Sequence, residues 1–485
     1  MPTNAVYERA RLSRDPRFDG RFFVGVRTTG IYCRPVCPAN PPKSENVSFY
    51  PTAAAASEAG FRPCLRCRPE CAPGTPAWAG TSTTVRRGLK LIASGALDDG
   101  NIEQLAERLG VTSRHLRRLF SRHLGASPLS VAHTQRLHFA KRLIDQTQLP
   151  LADIAVAAGY GSVRRFNDTF KKTYGRSPRE LRKRSDRAVT GSSLSVRLPY
   201  RPPYDWDALL DFFAGRAIPG VESVSDGVYR RSVSIDGRHG VLEVANDAAA
   251  DSIVVSVSGV ETASLFQVVQ TAREMFDVDA PIADIHATLR KDPVLKSALK
   301  RRPGIRVPGT WDPFELSVRA ILGQQVSVKA ATTLSGRIVD RYGEPLDLES
   351  AAAYGITHLF PTPKRLGRAR LNKMGLVGAR AETISRLARA VSRRDIDFDD
   401  DADTFVEAMT ALRGIGDWTA QYVLMRAHKN PDAFPASDLG LLRAFDRPGT
   451  KRLTPRRLTE LSERWRPWRA YAALLLWSSP ENSGG

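Results

Sequence analysis

Four cysteines near the start of the chain limit its fold more than any other feature. Cys33 and Cys37 enclose three residues, Cys64 and Cys67 enclose two, and 26 residues separate the pairs. Four thiolates at that spacing can close a tetrahedral site around one Zn2+, which predicts a short domain built on a metal. Free or core cysteines are the alternative, and the Arg and Pro residues flanking both pairs argue against it. Cys71 is surplus to the set and reads as an ordinary thiol. All five cysteines lie within the first 71 residues. In a reducing compartment such clustering points to metal or catalytic chemistry rather than disulfides. The leading MPTNAVYERARLSRD lacks the apolar core of a secretory signal, and no apolar run reaches the roughly 18 residues of a spanning helix. A cytoplasmic protein with no membrane partner is expected.

A chain of 485 residues should hold about three domains at roughly 150 residues each. The formal charge of +21 favours a polyanion such as nucleic acid over a neutral metabolite. That charge is localised. Between residues 79 and 187, 21 Lys and Arg stand against 9 Asp and Glu, placing +12 in about a fifth of the chain. Segments rich in Pro, Gly, Ser and Thr at 72–84 and 188–195 read as linkers around this basic region. Apolar spacing of three and four makes the basic region helical. From 196 to 280, SVRLPY, VYRRSVSI, GVLEVAN and SIVVSVSG predict a small antiparallel sheet with helical edges. Helical patterns return after about residue 283. The expected architecture is multidomain and mainly α with α+β parts, with domains at 1–75, 82–187, 194–282 and 283–485.

Within the basic region, IEQLAERLGVTSRHLRRLF and LADIAVAAGYGSVRRFNDTF are two versions of one plan. A small residue (Ala106, Ala155) and a glycine (Gly110, Gly159) permit a tight crossing, and a basic helix follows. The first such helix should expose Ser113, Arg114, Arg117 and Arg118. The second should expose Ser162, Arg164, Arg165, Asn167 and Asp168, with Phe166 and Phe170 turned inward. Near the C-terminus, LRGIGDWTAQYVLMRA sets Gly414 and Gly416 around an isoleucine between apolar helices. Backbone amides there could approach a DNA phosphate while carbonyls hold a monovalent cation. GIG alone is weak evidence. Asp438, twenty residues after Trp418 at the start of a helical pattern, reads by itself as a helix N-cap.

These motifs carry resemblances. TTGIYCRPVC, ENVSFY and GFRPCLRC resemble the zinc domain of the Ada-type adaptive-response regulators over residues 1–71. That likeness implies Zn2+ on Cys33, Cys37, Cys64 and Cys67, methyl acceptance from DNA methylphosphotriesters on Cys33, and backbone contacts from Thr29 and Arg62. Asn40 stands where a basic residue is familiar. Residues 85–184 resemble the paired helix-turn-helix domain of AraC-type transcription factors, implying sequence-specific activation and RNA polymerase as a partner. Most of 196–480 is similar to the AlkA-type 3-methyladenine DNA glycosylases, within the helix-hairpin-helix class. This implies Asp438 as catalytic carboxylate, Trp418, Tyr422 and Trp477 as base pocket, and Gln325 at the wedge position where leucine is familiar. Trp418 stands where strand-cutting relatives keep a Schiff-base lysine, which implies a monofunctional enzyme. No cysteine follows Cys71, which excludes both an iron–sulfur cluster and a second cysteine methyltransferase in the rest of the sequence. A regulator with a catalytically silent, DNA-holding C-terminal half is the alternative reading.

Overall fold

A computed structural model describes residues 4–73, 83–98, 101–182, 193–376, 378–446 and 453–478. Residues 74–82 and 188–192 of the two expected linkers lie outside these residues, and the linker ends run into the helix that starts at Thr83 and the strand that starts at Leu194. The chain separates into two compact units, 1–202 with 247–273 and 278–280, and 203–246 with 274–277 and 281–485. It is multidomain and mainly helical, with short sheets.

The first unit opens with the helix Asn4–Leu12 and a four-stranded sheet in the order Val47–Tyr50, Phe23–Val26, Ile31–Cys33, Arg62–Pro63. The first three strands are antiparallel, with Val24 opposite Cys33, and the last pairs in parallel, with Ile31 opposite Arg62. Alternation along Phe23–Val26 sends Val24 to a cluster with Ala10 and Phe22, and Phe23 to one with Tyr32 and Ala56. Seven helices follow between Thr83 and Leu181. Asn101 and Gln104 form a capping box for Ile102–Arg108, and Thr112 caps Ser113–Leu124. The long bridging helix Pro128–Gln146 leads to Leu151–Ala157 and Val163–Tyr174. Gly110 and Gly159 both adopt left-handed φ, +68° and +73°, at the tight turns the repeat requires. Ala106, Ala155, Phe166 and Phe170 are buried, as the periodicity demands. Leu194–Pro199 pairs antiparallel with Ser252–Ser258 in the same unit.

In the second unit, Glu222–Ser225, Val228–Ile235 and Arg238–Asp247 form an antiparallel meander. Strand Val228–Ile235 is anchored to the helix Pro313–Leu322 by buried charges. Arg231 Nη2 lies 2.7 Å from Glu315 Oε2, and Arg319 Nη1 lies 3.0 Å from Glu222 Oε2. With every charge partnered, this buried cluster fixes one arrangement of sheet and helix. The helix therefore delivers Gln324 and Gln325 to a defined place, before Val328–Tyr342 continues the chain. The helices Ala402–Ala411, Asp417–Arg426, Leu439–Arg443 and Arg469–Trp477 complete the frame of the site below. One departure from the helical expectation is a two-residue ladder, Glu344–Pro345 with His358–Leu359, too short for a sequence pattern to register. No helix among the described residues is long and apolar enough to cross a membrane.

Candidate functional site

Strand pairing assembles the cysteines. Cys33 ends its strand, and the Cys64 N–H donates to the Tyr32 carbonyl at 3.0 Å, which brings the second pair beside the first. All four sulfurs lie within 4.8 Å of one another, with Cys64 and Cys67 buried and Cys33 and Cys37 half-buried. Zn–S bonds of about 2.3 Å in a tetrahedron require sulfurs about 3.8 Å apart, so the donor set fits one zinc ion. Sequence reasoning missed Arg34. Its backbone N–H donates to Cys67 Sγ at 3.3 Å, its Nη1 to the Cys67 carbonyl at 3.2 Å, and its Nε to Asp19 at 2.8 Å. The amide thus faces a sulfur that carries negative charge when bound to metal, while the guanidinium is held by the Cys67 carbonyl and Asp19. Thr29 and Arg62 are both exposed, and the Arg62 N–H donates to the neighbouring Gly30 carbonyl at 2.8 Å, placing them at one edge of the domain.

On the two reading helices, Arg114, Arg117 and Arg118, and then Arg164, Arg165, Asn167 and Asp168, are exposed, while Ser113 is half-buried. Ser162 is exposed as expected, but it precedes its helix as the N-cap rather than lying within it, with its side chain accepting the Arg165 N–H at 3.5 Å, because a serine hydroxyl satisfies an orphan amide better than it serves mid-helix.

The C-terminal site converges on Asp438. Its Oδ1 accepts the Trp477 indole N–H at 2.8 Å and the Leu441 amide at 3.0 Å, and its Oδ2 accepts the Trp418 indole N–H at 2.8 Å. The carboxylate is therefore an N-cap and also the meeting point of two tryptophans. Trp418 stacks on Tyr422 with centroids 5.2 Å apart and planes 7° from parallel, and Tyr422 meets Trp477 at 6.4 Å and 61°. The three aromatics expected of a pocket stand together, each half-buried. Behind them Arg426, four residues on from Tyr422, donates to its hydroxyl at 2.8 Å and to the Pro308 and Gly309 carbonyls at 2.9 Å each. Burial opposes ionisation of Tyr422, but Arg426 and Arg216 outweigh it and leave the phenol more acidic than usual. The i,i+4 spacing could have revealed Arg426; nothing local pointed to Arg216.

The GIG segment is a tight hairpin between two helices. Gly414 has φ +97°, and a Cβ there would lie 2.1 Å from Thr383 Oγ1. Gly416, exposed and extended at φ −101°, has open space where a side chain would go. Gln324, also missed, donates from Nε2 to the Gly414 carbonyl at 3.1 Å and to Thr419 Oγ1 at 3.0 Å, tying the hairpin to the turn that carries Gln325. Gln325 itself is exposed with φ +56°, a left-handed conformation that non-glycine residues rarely adopt.

Family profiles match four consecutive segments: the metal binding domain of Ada at 7–70, a helix-turn-helix domain at 105–184, the AlkA N-terminal domain at 195–312, and the HhH-GPD superfamily of base excision DNA repair proteins at 318–468. DNA-3-methyladenine glycosylase 2 of Escherichia coli is 35% identical over 58% of this chain and 95% of its own. A solved 3-methyladenine DNA glycosylase from Archaeoglobus fulgidus superposes with a TM-score of 0.51 at 26% identity, over 58% of this chain and 96% of that one. A Mycobacterium tuberculosis protein described as a probable bifunctional transcriptional activator/DNA repair enzyme AlkA is 40% identical over 98% of this chain and 96% of its own length. With that near-complete match, and with the zinc, helix-turn-helix and glycosylase segments in the same order, the chain belongs to the family of bifunctional transcriptional activator/DNA repair enzymes of the AlkA type.

Proposed function

We propose that this chain repairs alkylated DNA by two separate chemistries and couples one of them to transcription. Residues 194–282 and 283–485 act as the sheet lobe and catalytic region of a monofunctional glycosylase. It hydrolyses the N-glycosidic bond of 3-methyladenine, 3-methylguanine and 7-methylguanine. The observation that carries this reading is Asp438, with one carboxylate oxygen held by Trp418 and the other by Trp477. N-alkylation makes the purine cationic and already a good leaving group, so acid catalysis matters little. The bond to C1′ breaks with its electron pair leaving on the base, and water adds to C1′ and gives up a proton. The fixed negative charge of Asp438 stabilises the oxocarbenium-like sugar between those events and orients the water. Trp418, Tyr422 and Trp477 offer π faces that favour an electron-poor base over an ordinary one. Gln325, held outward by its backbone, fills the gap left by the extruded nucleotide. The amides at Gly414 and Gly416 grip a phosphate. The second lone pair of the Gly414 carbonyl leaves room for a monovalent cation.

In residues 1–75, Cys33 is the methyl acceptor. Its sulfur attacks the methyl carbon of a DNA methylphosphotriester, the S–C bond forms as the C–O bond breaks, and the electron pair leaves on what becomes an ordinary phosphodiester. Bound zinc keeps the four thiolates deprotonated and gathered. Only a methylated phosphate has lost the charge that would repel a thiolate. Transfer also removes one negative charge from the protein, which strengthens binding to neighbouring phosphates. Thr29 and Arg62 contact the backbone. Within 82–187, Ser113, Arg114, Arg117 and Arg118, with Ser162, Arg164 and Arg165, read promoter DNA from successive grooves and bring RNA polymerase to it. The protein works in the cytoplasm, on the nucleoid.

Release of free 3-methyladenine from methylated DNA, lost in Asp438→Asn, tests the enzyme half. If the wild type releases none, a regulator with a silent DNA-holding half is the correct reading. Mass spectrometry of the N-terminal peptides tests the sensor half, since Cys33→Ala should gain no methyl group at that peptide.

A further inference from the structure

We infer that the second unit carries a second phosphate-binding site, an arginine-lined cleft that takes the DNA backbone flanking the lesion. The cleft measures about 990 Å³ and is formed where the end of the helix Val328–Tyr342 meets the segment 368–375. Arg337, Arg341, Arg368 and Arg370 line it, with Asp340 as the single carboxylate among the lining residues. The inference rests on the glycosylase reading above and extends it to how the enzyme holds its substrate.

The walls of the cleft are fixed. Arg337 and Arg341 stand four residues apart, hence on one face of their helix. Arg368 and Arg370 follow the helix Pro363–Leu366, whose Leu366 is buried, and precede Leu371, also buried. The Arg370 N–H donates to the Tyr342 hydroxyl at 3.0 Å, fastening this segment to the helix end. Gly375 has φ +75°, and a Cβ there would lie 3.1 Å from Arg337 Nη1, so this guanidinium packs against bare backbone.

Some surface arginines elsewhere in the unit find carboxylates, as Arg386 does with Glu382 and Arg393 with Asp395 at 3.0 Å. Among the described residues no ion pair joins any of the four cleft arginines to a carboxylate. Four cations lining one cleft beside a single carboxylate leave a net charge of +3, a local field that attracts an anion. The planar guanidinium fork suits phosphate oxygens in particular.

Position favours a duplex over an acidic peptide or a small anion. The helix begins three residues after Gln325, and at 1.5 Å per residue its cleft arginines lie roughly 14–20 Å further along its axis. At 3.4 Å per base pair that separation reaches at most about six base pairs from Gln325, within the span of a bound duplex.

The test is single-turnover base release by the full-length protein, read as the half-saturating enzyme concentration at several salt concentrations. Substrates are a long duplex and two duplexes trimmed to about three base pairs on one side of the lesion or the other. On the long duplex, the double substitution Arg341→Gln with Arg370→Gln should raise the half-saturating concentration about three- to fivefold per arginine. It should also flatten the logarithmic salt slope by roughly 0.9 per arginine and leave the rate at saturation unchanged. Trimming one particular side should erase the difference between variant and wild type. The pair Arg341→Lys with Arg370→Lys should recover most of the salt slope, which separates lost charge from a damaged fold. An unchanged half-saturation on the long duplex overturns the inference. So does an equal loss on both trimmed duplexes. Inorganic pyrophosphate that competes equally with all three duplexes, through these arginines, would assign the cleft to a free anion instead. Absence of base release from every protein would overturn the glycosylase reading itself, a result distinguishable from each of these.

Discussion

Asp438 has three donors on two oxygens, so its duty as a helix cap can be measured apart from the catalytic role proposed for it. In Asp438→Asn the amide oxygen can still cap Leu441, but the NH2 must face one indole N–H. The resulting unpaired donor should cost about 1 kcal/mol, visible as a small fall in Tm. Base release should fall by about a hundredfold or more, since the neutral amide no longer stabilises positive charge at the sugar. The two hairpin glycines make a second contrast. Gly414→Ala forces a Cβ into Thr383 at left-handed φ and should destabilise the second unit by about 1–3 kcal/mol in denaturant unfolding. Gly416→Ala meets nothing and costs only the difference between a glycine and an alanine N-cap, about 0.5–1 kcal/mol, so a larger loss of DNA affinity in that variant would support the proposed phosphate grip. Asp438 and the aromatic trio were expected from the resemblance to known glycosylases, and the structure brings the four together; the GIG turn was legible from its two glycines. Gln324, Arg216 and Arg34 were not, because polar side chains that act on distant backbone or ring atoms leave no local pattern.

At the scale of elements, the bridging helix Pro128–Gln146 packs on the segment after Cys67 through buried charges. Lys141 lies 3.4 Å from Glu70 and pairs with Asp145 at 2.5 Å; Arg68, next to the last zinc ligand, pairs with the same Asp145. Tyr32, next to Cys33, shares a hydrogen bond of 2.8 Å with His138 on that helix. The metal domain and the first reading motif therefore share one core. Lys141→Met removes a cation from beside two buried carboxylates and should destabilise this unit by about 3 kcal/mol. Removing zinc with a chelator should lower amide-exchange protection in Pro128–Gln146 as well as around the cysteines. Burial, aided by Arg142, pushes the His138 pKa from 6.5 down to about 3. The folded chain thus refuses a proton that the unfolded chain accepts, and stability falls as the pH drops below 6.5. Compared with the wild type, zinc-loaded His138→Asn should lose less Tm between pH 7 and pH 5. Helices and caps here were readable from three- and four-residue spacing and from Ser, Thr and Asn at their starts. The charge network was not, since its partners stand about seventy residues apart in the chain.

In the molecule as a whole, the two chemistries proposed above occupy different parts of one chain: a stoichiometric methyl transfer to sulfur and a catalytic hydrolysis at a sugar. The order of the segments was legible because each has a motif dense in Cys, Arg or Gly. The two compact units were not, because residues 194–202 and 247–273 group with the N-terminal unit although by sequence they continue into the glycosylase. The most direct test treats methylated DNA in parallel with wild type, Asp438→Asn and Cys33→Ala, counting purine bases released and methyl groups gained on the protein. Asp438→Asn should gain the methyl group at the wild-type level and release almost no base, and Cys33→Ala should release base within about twofold of wild type while gaining none. An Asp438→Asn protein that releases base at the wild-type rate, or a Cys33→Ala protein methylated as fast as the wild type, would contradict the account.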